Sequence, residues 1–170
     1  MKKLTLVING RGGVGKDTLC EVAATRYRVR NVSSITPIKE LAAACGWQGE
    51  KTDRARRFLA DLKALTAAYN DYPTAWVTAR YREFLASDEE ILFVHIREAA
   101  EIRKFVDATG GDARTLLVRA EGRLGAHTYG NASDDEVEAY GYDYYFGNDG
   151  TREEAAASFL EFLDGVLATL

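Results

Sequence analysis

A glycine-rich loop near the start of the chain constrains the fold more than any other feature of the sequence. The apolar run from Leu4 to Ile8 precedes it, and a run of this length is typical of a buried strand. Residues 16–28 follow it with apolar side chains at helical spacing. The loop between them reads Gly10-Arg11-Gly12-Gly13-Val14-Gly15-Lys16-Asp17-Thr18. Its spacing fits the pattern G-x-x-x-x-G-K, and a strand, this loop and a helix in that order predict a phosphate-binding loop (P-loop).

Each part of the P-loop has a physical role in holding a phosphate group. Glycine residues let the backbone curl until several N–H groups point at one anion. The helix that follows presents its positive N-terminal end to the same anion. Lys16 adds a point charge, which we expect at the β- and γ-phosphates of a nucleotide. The sequence therefore predicts a nucleotide site at this loop.

Two features of the loop leave alternatives open. Gly10, Gly12 and Gly15 also match the dinucleotide fingerprint G-x-G-x-x-G. That kind of site requires an acid about 20 residues further on, at the end of the second strand, but no acid follows that strand before Glu40. Asp17 stands where a serine or threonine usually binds Mg²⁺. Its carboxylate is interpreted either as a magnesium ligand or as an acid that only favours the start of the helix.

The rest of the chain alternates between apolar runs and helical periodicity. Further strands are predicted at 30–35, 91–94, 114–118 and 142–146, and further helices at 37–44, 52–70, 98–107 and 151–169, with another restarting at Pro73. Strands separated by helices favour a parallel sheet with right-handed crossovers. The predicted fold class is α/β, a three-layer sandwich around a five-stranded parallel sheet. Ligands of such folds bind beyond the carboxyl ends of the strands.

Size, charge and cysteine content exclude several classes of protein. A chain of 170 residues is long enough for one domain with a sizeable core. Its net charge of −4 argues against a protein that mainly binds nucleic acid. Two cysteines, Cys20 and Cys45, are too few for a disulfide framework or a cysteine-rich zinc site. Because no stretch approaches the roughly 18 apolar residues of a membrane span, we expect a cytoplasmic protein without a membrane partner. We expect this protein to be either a monomer or a homodimer.

The predicted helix at 52–70 carries an apolar face and a charged face. The apolar stripe, which we expect to be the packing face, consists of Phe58, Leu62, Leu65 and Tyr69. The charged face, at i, i+3, i+7 spacing, consists of Arg54, Arg57 and Asp61. Arginine can bind a phosphate bidentately, while the alternative for any charged helix face is simple solvation. Lys39, soon after the second strand, has the same two interpretations.

Four segments of the chain resemble proteins of the nucleoside-monophosphate-kinase-like group. The loop sequence Gly15-Lys16-Asp17-Thr18 resembles that of phage-type deoxynucleoside monophosphate kinases and, more distantly, of phosphomevalonate kinases. Thr36 to Glu40 is similar to the family's Pro-aliphatic-Lys-acid segment after the second strand. His95 to Glu101 is similar to its D-x-R-x-x-x-E element after the third strand. Asn148-Asp149-Gly150 is similar to the turn before its last helix. The matches follow the family's order across nearly the whole chain.

The resemblance implies transfer of the γ-phosphoryl group of ATP, with Mg²⁺, to a small phosphorylated acceptor, foremost a (deoxy)nucleoside monophosphate. It implies one P-loop kinase domain over residues 1–170, with a helical acceptor-binding lobe at about 36–87 and a short lid at about 120–133. ATP phosphates would lie on Gly10 to Thr18, with Asp17 as the candidate metal ligand and Asn148 to Gly150 near adenine. The implied catalytic residues are Lys16, Arg97 and Arg119. Candidate acceptor-binding residues are Lys39, Arg54, Arg57, Asp61 and Arg97, and candidate phosphate clamps of the lid are Arg119 and Arg123.

Two departures from the family's pattern bear on this function. His95 stands where the family has an acid that helps to hold magnesium, which leaves Glu98, Glu101 or Asp17 for that role. The segment 47–85 is shorter than in the phage enzymes. The alternatives are a kinase of another phosphorylated metabolite, dephospho-coenzyme A-like or phosphomevalonate-like, and a catalytically weak nucleotide-binding switch. A GTPase is disfavoured, because the sequence has no N-K-x-D tetrapeptide.

Overall fold

Strands and helices alternate along the chain, as the sequence predicts. The computed structural model describes residues 1–120 and 136–170, so the lid predicted at 120–133 lies almost wholly outside the described residues. The strands are β1 (Leu4–Asn9), β2 (Val29–Ser33), β3 (Ile91–His95), β4 (Arg114–Arg119) and β5 (Tyr144–Gly147). The helices are α1 (Lys16–Ala24), α2 (Thr36–Ala44), α3 (Asp53–Asn70), α4 (Tyr72–Leu85), α5 (Ala99–Ala108) and α6 (Arg152–Ala168), and a 3-10 turn, Glu136–Ala139, precedes β5. Among the described residues, no helix combines the length and the apolar character that crossing a membrane requires.

The five strands form one parallel sheet in the order β2-β3-β1-β4-β5. β1 is central, and all of its residues are buried. Ile8 of β1 and Ser33 of β2 both pair with His95 of β3. This register aligns the carboxyl ends of three neighbouring strands at one edge of the sheet. The predicted fold class, a three-layer sandwich around a parallel sheet, is confirmed.

Two apolar cores cover the two faces of the sheet. On one face, Leu6 of β1 belongs to a buried cluster with Leu19 of α1 and Phe159 of α6. On the other face, Val7 belongs to a cluster with Phe105 of α5 and with buried residues of α4. Each fully buried large apolar side chain contributes about 1.5–3 kcal/mol to folding. The P-loop therefore follows a strand that is held firmly from both sides.

Helix α3 packs through a different face from the one predicted. It contacts α2 and α4, yet none of its residues is fully buried. Phe58, Leu65 and Tyr69 are 37%, 68% and 85% exposed, so the predicted packing face is wrong. The half-buried residues of α3 are Ala55, Leu59, Leu62, Lys63, Thr66 and Ala67. Of the predicted stripe only Leu62 is half-buried.

Two element boundaries differ from the prediction for local reasons. α1 ends at Ala24 rather than at residue 28. Just after this end, the Thr25 hydroxyl donates to the Val22 carbonyl oxygen at 2.6 Å. β5 begins at Tyr144 rather than at residue 142. The N–H of Thr115 on β4 donates to a side-chain oxygen of Asp143 at 2.9 Å. Because that N–H is taken by a side chain, main-chain pairing of β4 and β5 starts at Leu116 and Tyr144.

Candidate active site

The P-loop adopts the curled conformation that its glycines allow. Gly13 and Gly15 have φ angles of 82° and 89°, in the left-handed region that glycine adopts at little steric cost. Gly15 caps α1, so the positive end of the helix faces the loop. The Lys16 ammonium donates a hydrogen bond to the Gly10 carbonyl oxygen at 2.9 Å. The structure thus contains the loop geometry that the spacing predicts, with Lys16 lying across the loop.

Gly10 has almost no room for a side chain. A Cβ atom there would lie 2.7 Å from the Val118 carbonyl oxygen and 2.8 Å from Cγ2 of Val14. Because Val118 O belongs to the backbone of β4, it cannot move aside cheaply. We expect Gly10→Ala to lower the free energy of unfolding by ~2–3 kcal/mol, measured by urea denaturation. Gly12→Ala is the matched control, since its Cβ would meet nothing within 4 Å. Equal stability of the two variants would contradict this prediction.

Asn148 supports the P-loop from the strand end beyond β5. Asn148 is 4% exposed, and its Nδ2 donates to the Val14 carbonyl oxygen at 2.8 Å. Its own N–H donates to the Arg119 carbonyl oxygen at 2.6 Å. Asp149 and Gly150 follow it as exposed residues just before α6. The structure therefore brings Asn148 against the loop, while adenine contacts by these three residues stay a prediction.

A cleft of about 690 Å³ opens beside the P-loop at the carboxyl edge of β1, β2 and β3. Its walls come from the P-loop, from α2 and α3, and from the segment that follows β3. The predicted site residues in its lining are Lys16, Asp17, Lys39 and Arg97. Arg56 and Lys63 of α3, which the sequence patterns did not indicate, also line it, together with His95 and Glu98. The fold thus brings the P-loop lysine and a predicted catalytic arginine to one cleft.

The basic residues that α3 presents to the cleft are not the predicted ones. The lining residues of this helix, at i, i+3, i+4, i+7 spacing on one face, are Arg56, Leu59, Ala60 and Lys63. Arg54, Arg57 and Asp61 are exposed and are not part of the lining. The half-buried side of α3, which includes Leu59 and Lys63, borders the cleft. Arg54, Arg57 and Asp61 therefore lie outside this cleft lining, and acceptor binding by them stays a prediction.

Lys63 joins α3 to two carboxylates that follow β3. Its Nζ lies 2.7 Å from Oε2 of Glu98 and 3.1 Å from Oε2 of Glu101. Lys63 and Glu101 are each only 14% exposed in their side chains. Burial raises the pKa of Glu101, and the nearby Glu98 raises it further, while Lys63 opposes both effects. Lys63 therefore offsets the charge of two acids that would otherwise repel each other at the edge of the cleft.

His95 ends β3 and is half-buried in the cleft. Its Nε2 lies 3.2 Å from Oδ1 of Asn31 and 4.0 Å from the sulfur of Cys20. Burial lowers the pKa of His95 and so favours the neutral imidazole. Burial also raises the pKa of the Cys20 thiol to about 12. Because Mg²⁺ prefers oxygen ligands, a neutral imidazole here does not replace the acid of the similar family in holding magnesium.

Asp17 has the oxygen donors that a magnesium ion prefers. Its side chain is exposed in the first turn of α1 and lines the cleft next to Lys16. Proteins commonly hold Mg²⁺ with one or two carboxylates, several waters and the phosphates of the substrate. Residues 1–120 and 136–170 contain no group of three or more His, Cys, Asp or Glu that could hold a metal by itself. The donors present therefore suit a magnesium ion shared with nucleotide phosphates.

Arg119, predicted as a catalytic clamp, lies at the end of β4. Its Nη2 is 2.8 Å from Oε2 of Glu138, and its guanidinium lies 4.6 Å from the centre of the Tyr145 ring. It is not among the residues that line the cleft. Arg123, the second predicted clamp, lies outside the described residues. The clamp role of both arginines stays a prediction.

Comparison with solved structures finds the same architecture in several kinases. A candidate kinase from Chloroflexus aurantiacus has a TM-score of 0.56 at 15% identity, over 99% of this chain and 97% of that one. A sugar kinase from Janibacter sp. HTCC2649 has a TM-score of 0.51 at 19% identity, over 95% of both chains. Thymidylate kinase from Candida albicans has a TM-score of 0.52 at 10% identity, over 96% of this chain and 92% of that one.

Comparison at the level of sequence identifies no family for this chain. No protein-family model matches the chain, and no curated protein matches it either. At identities this low, similarity to solved structures establishes the fold alone. The chain therefore shares the fold of these kinases, a five-stranded parallel sheet with helices on both faces.

Proposed function

We propose that this protein is an ATP-dependent small-molecule kinase that transfers the γ-phosphoryl group, with Mg²⁺, to a phosphorylated acceptor. The observation that carries the proposal is the shared cleft beside the P-loop. Lys16, Lys39 of α2 and Arg97 after β3 all line it. A nucleotide on the loop and an anionic acceptor against the opposite wall would bring two phosphate groups together between these residues.

The charge of the cleft supports an anionic acceptor. Five of its lining residues are basic, and two are acidic, Asp17 and Glu98. The basic ones are Lys16, Lys39, Arg56, Lys63 and Arg97. Because Lys63 contacts two carboxylates, Lys39 and Arg56 are the more direct candidates for the acceptor's own phosphate. Arg56 can bind it bidentately through its planar guanidinium.

Phosphoryl transfer depends on positioning and charge stabilisation more than on covalent help from the protein. In the proposed arrangement Lys16 contacts the β- and γ-phosphates, and Arg97 contacts the oxygens of the transferring group, over which negative charge spreads. Asp17 would hold the magnesium ion, which neutralises phosphate charge. A phosphate acceptor needs no general base, because its oxygens are already ionised near pH 7. This chemistry, together with the P-loop sequence, favours a nucleoside monophosphate.

A second candidate is a kinase that phosphorylates a hydroxyl group of a phosphorylated metabolite, as in a dephospho-coenzyme A-like substrate. Glu98 is the observation that favours it. Its carboxylate lines the cleft, and a carboxylate within reach of a hydroxyl can accept its proton as transfer proceeds. The Lys63 ammonium lies 2.7 Å from this carboxylate.

The direct test is ADP formation from Mg·ATP in the presence of single acceptors. The panel contains ribo- and deoxynucleoside monophosphates, dephospho-coenzyme A and phosphomevalonate, with an unphosphorylated sugar because one similar fold is that of a sugar kinase. We expect one nucleoside monophosphate to stimulate ADP formation strongly over ATP alone. Stimulation by dephospho-coenzyme A alone would support the second candidate. Stimulation by the sugar alone, or ATP binding without acceptor-dependent ADP, would contradict the proposal.

A further inference from the structure

Asn9, the last residue of β1, holds three parts of the molecule together with one side chain. It lies directly before the P-loop and is 1% exposed. Its Nδ2 donates to the Arg97 carbonyl oxygen at 3.0 Å and to the Tyr142 hydroxyl at 2.8 Å. Its Oδ1 accepts the N–H of Gly10 at 2.9 Å. Both N–H groups of the amide, and its oxygen, are therefore used.

These hydrogen bonds connect the two basic residues that the proposed function assigns to the transferring phosphoryl group. The N–H of Gly10 is held by Asn9, and the Gly10 carbonyl oxygen accepts a hydrogen bond from the Lys16 ammonium at 2.9 Å. The backbone of Arg97 is held by Asn9, whose Nδ2 donates to the Arg97 carbonyl oxygen. Lys16 and Arg97 follow different strands, and one planar amide joins the backbone segments that carry them. Because the amide is buried, its hydrogen bonds are stronger and more directional than they would be in water.

We propose that Asn9 is a positioning residue for Arg97. It fixes the segment after β3 against the P-loop, so that the guanidinium meets a phosphoryl group already held by Lys16. This inference rests on the proposed function, because it takes both residues to act on the same group. The expected effect is large, since a displacement of about 1 Å can lower a rate ~10²-fold.

Asparagine suits this junction better than the closest alternatives. Aspartate has the same shape but no N–H donor, so a carboxylate oxygen would face the Arg97 carbonyl oxygen. The Tyr142 hydroxyl already donates its proton to the Val137 carbonyl at 2.7 Å, so it presents only lone pairs to Asn9. Asn9→Asp therefore keeps the volume and the contact with Gly10 while it breaks the link to Arg97.

The test compares Asn9→Asp with Tyr142→Phe in the 170-residue chain. Tyr142→Phe removes a hydroxyl that contacts Asn9, but it leaves the links from Asn9 to Gly10 and Arg97 in place. We expect Asn9→Asp to lower kcat about 10-fold or more, with KM for ATP changed less than about twofold. Tyr142→Phe should keep kcat within about twofold, although each variant loses two buried hydrogen bonds and unfolds at lower temperature. Asn9→Ser, which is uncharged, replaces Asn9→Asp if that variant does not fold.

A double-mutant cycle with Arg97→Ala identifies the route of the effect. If Asn9 acts through Arg97, Asn9→Asp should lower kcat less than about twofold further in the Arg97→Ala background. Losses that multiply would overturn the positioning role. An unchanged kcat in Asn9→Asp, with the same thermal destabilisation as in Tyr142→Phe, would also overturn it. Asn9 would then be a purely structural residue.

A second measurement does not depend on turnover and so separates this inference from the proposed function. The NMR signal of the Arg97 side-chain Nε–H is identified by its loss in Arg97→Ala. We expect it to shift or broaden in Asn9→Asp and to keep its position in Tyr142→Phe. If no acceptor stimulates ADP formation by the wild type, the proposed function fails, and this comparison still tests the positioning. An Arg97 signal that is unchanged in Asn9→Asp would overturn the inference even in an active kinase.

Discussion

Replacing Lys16 by alanine is expected to reduce phosphoryl transfer at least ~10³-fold while the chain still folds. Lys16 begins α1 at the positive end of the helix and lies across the P-loop, with its ammonium 2.9 Å from the Gly10 carbonyl oxygen. Its charge would offset the negative charge that develops between the β- and γ-phosphates. Loss of one partly exposed hydrogen bond costs only about 1 kcal/mol. ADP formation with the best acceptor measures the first effect, and thermal unfolding measures the second.

The control for Lys16→Ala is a lysine outside the cleft. Lys104→Ala removes an exposed ammonium that pairs with Asp71 at 2.6 Å, and it should leave turnover unchanged. Lys16→Arg keeps the positive charge but alters the shape and reach of the side chain. Partial activity of this variant would show that the position of the charge, as well as its sign, determines the rate. Turnover at the wild-type rate in Lys16→Ala would contradict the P-loop mechanism and leave the loop as a structural turn.

The P-loop and the sheet could be predicted from the sequence because both depend on local patterns. The spacing of Gly10, Gly15 and Lys16 encodes a conformation that other residues adopt poorly, and the structure shows Gly15 in the left-handed region. Short apolar runs without alternation indicate strands covered on both faces. β1 is buried along its whole length, and β3 up to His95. Alternating helices then leave few arrangements other than a parallel sheet.

The orientation of α3 could not be predicted, because its side chains form two overlapping stripes. Phe58, Leu65 and Tyr69 are larger than Ala55 and Thr66 of the half-buried side, and hydrophobic periodicity therefore selects them. The choice depends on the surfaces of α2 and α4, which lie in other parts of the sequence. One signal was available for the cleft-facing residues. Arg56 and Lys63 lie seven positions apart in the sequence, which places two basic side chains on one helical face.

The polar contacts that organise the site leave no local pattern in the sequence. Lys63 pairs with Glu98 across 35 positions, and Asn9 bonds to the Arg97 carbonyl across 88 positions. Each of these residues, taken alone, has an ordinary explanation as a surface charge or a strand-end amide. Only the register of the parallel strands brings the end of β1 beside the end of β3. The network around Asn9 is thus a property of the fold, although the loop that it supports is a property of the sequence.

Replacing Arg97 by alanine is expected to lower kcat by about 10²-fold or more, with a smaller change in KM for ATP. Arg97 follows β3 at the carboxyl edge of the sheet and lines the cleft together with Lys16. Its guanidinium can neutralise the charge that spreads over the transferring phosphoryl oxygens, which is a contact made most strongly in the transition state. Initial rates over a range of both substrate concentrations separate kcat from the two KM values.

Arg103→Ala is the matched control for Arg97→Ala. Arg103 is an exposed arginine of α5 whose guanidinium lies 5.9 Å from the centre of the Tyr140 ring, and it does not line the cleft. A raised acceptor KM at unchanged kcat would make Arg97 an acceptor-binding residue. The sequence spacing also allows an ion pair between Arg97 and Glu101, but Glu101 contacts Lys63 at 3.1 Å, and that contact survives the substitution. A loss of kcat without loss of stability would therefore assign Arg97 to the transition state, whereas lower stability at unchanged kcat would assign it to the fold.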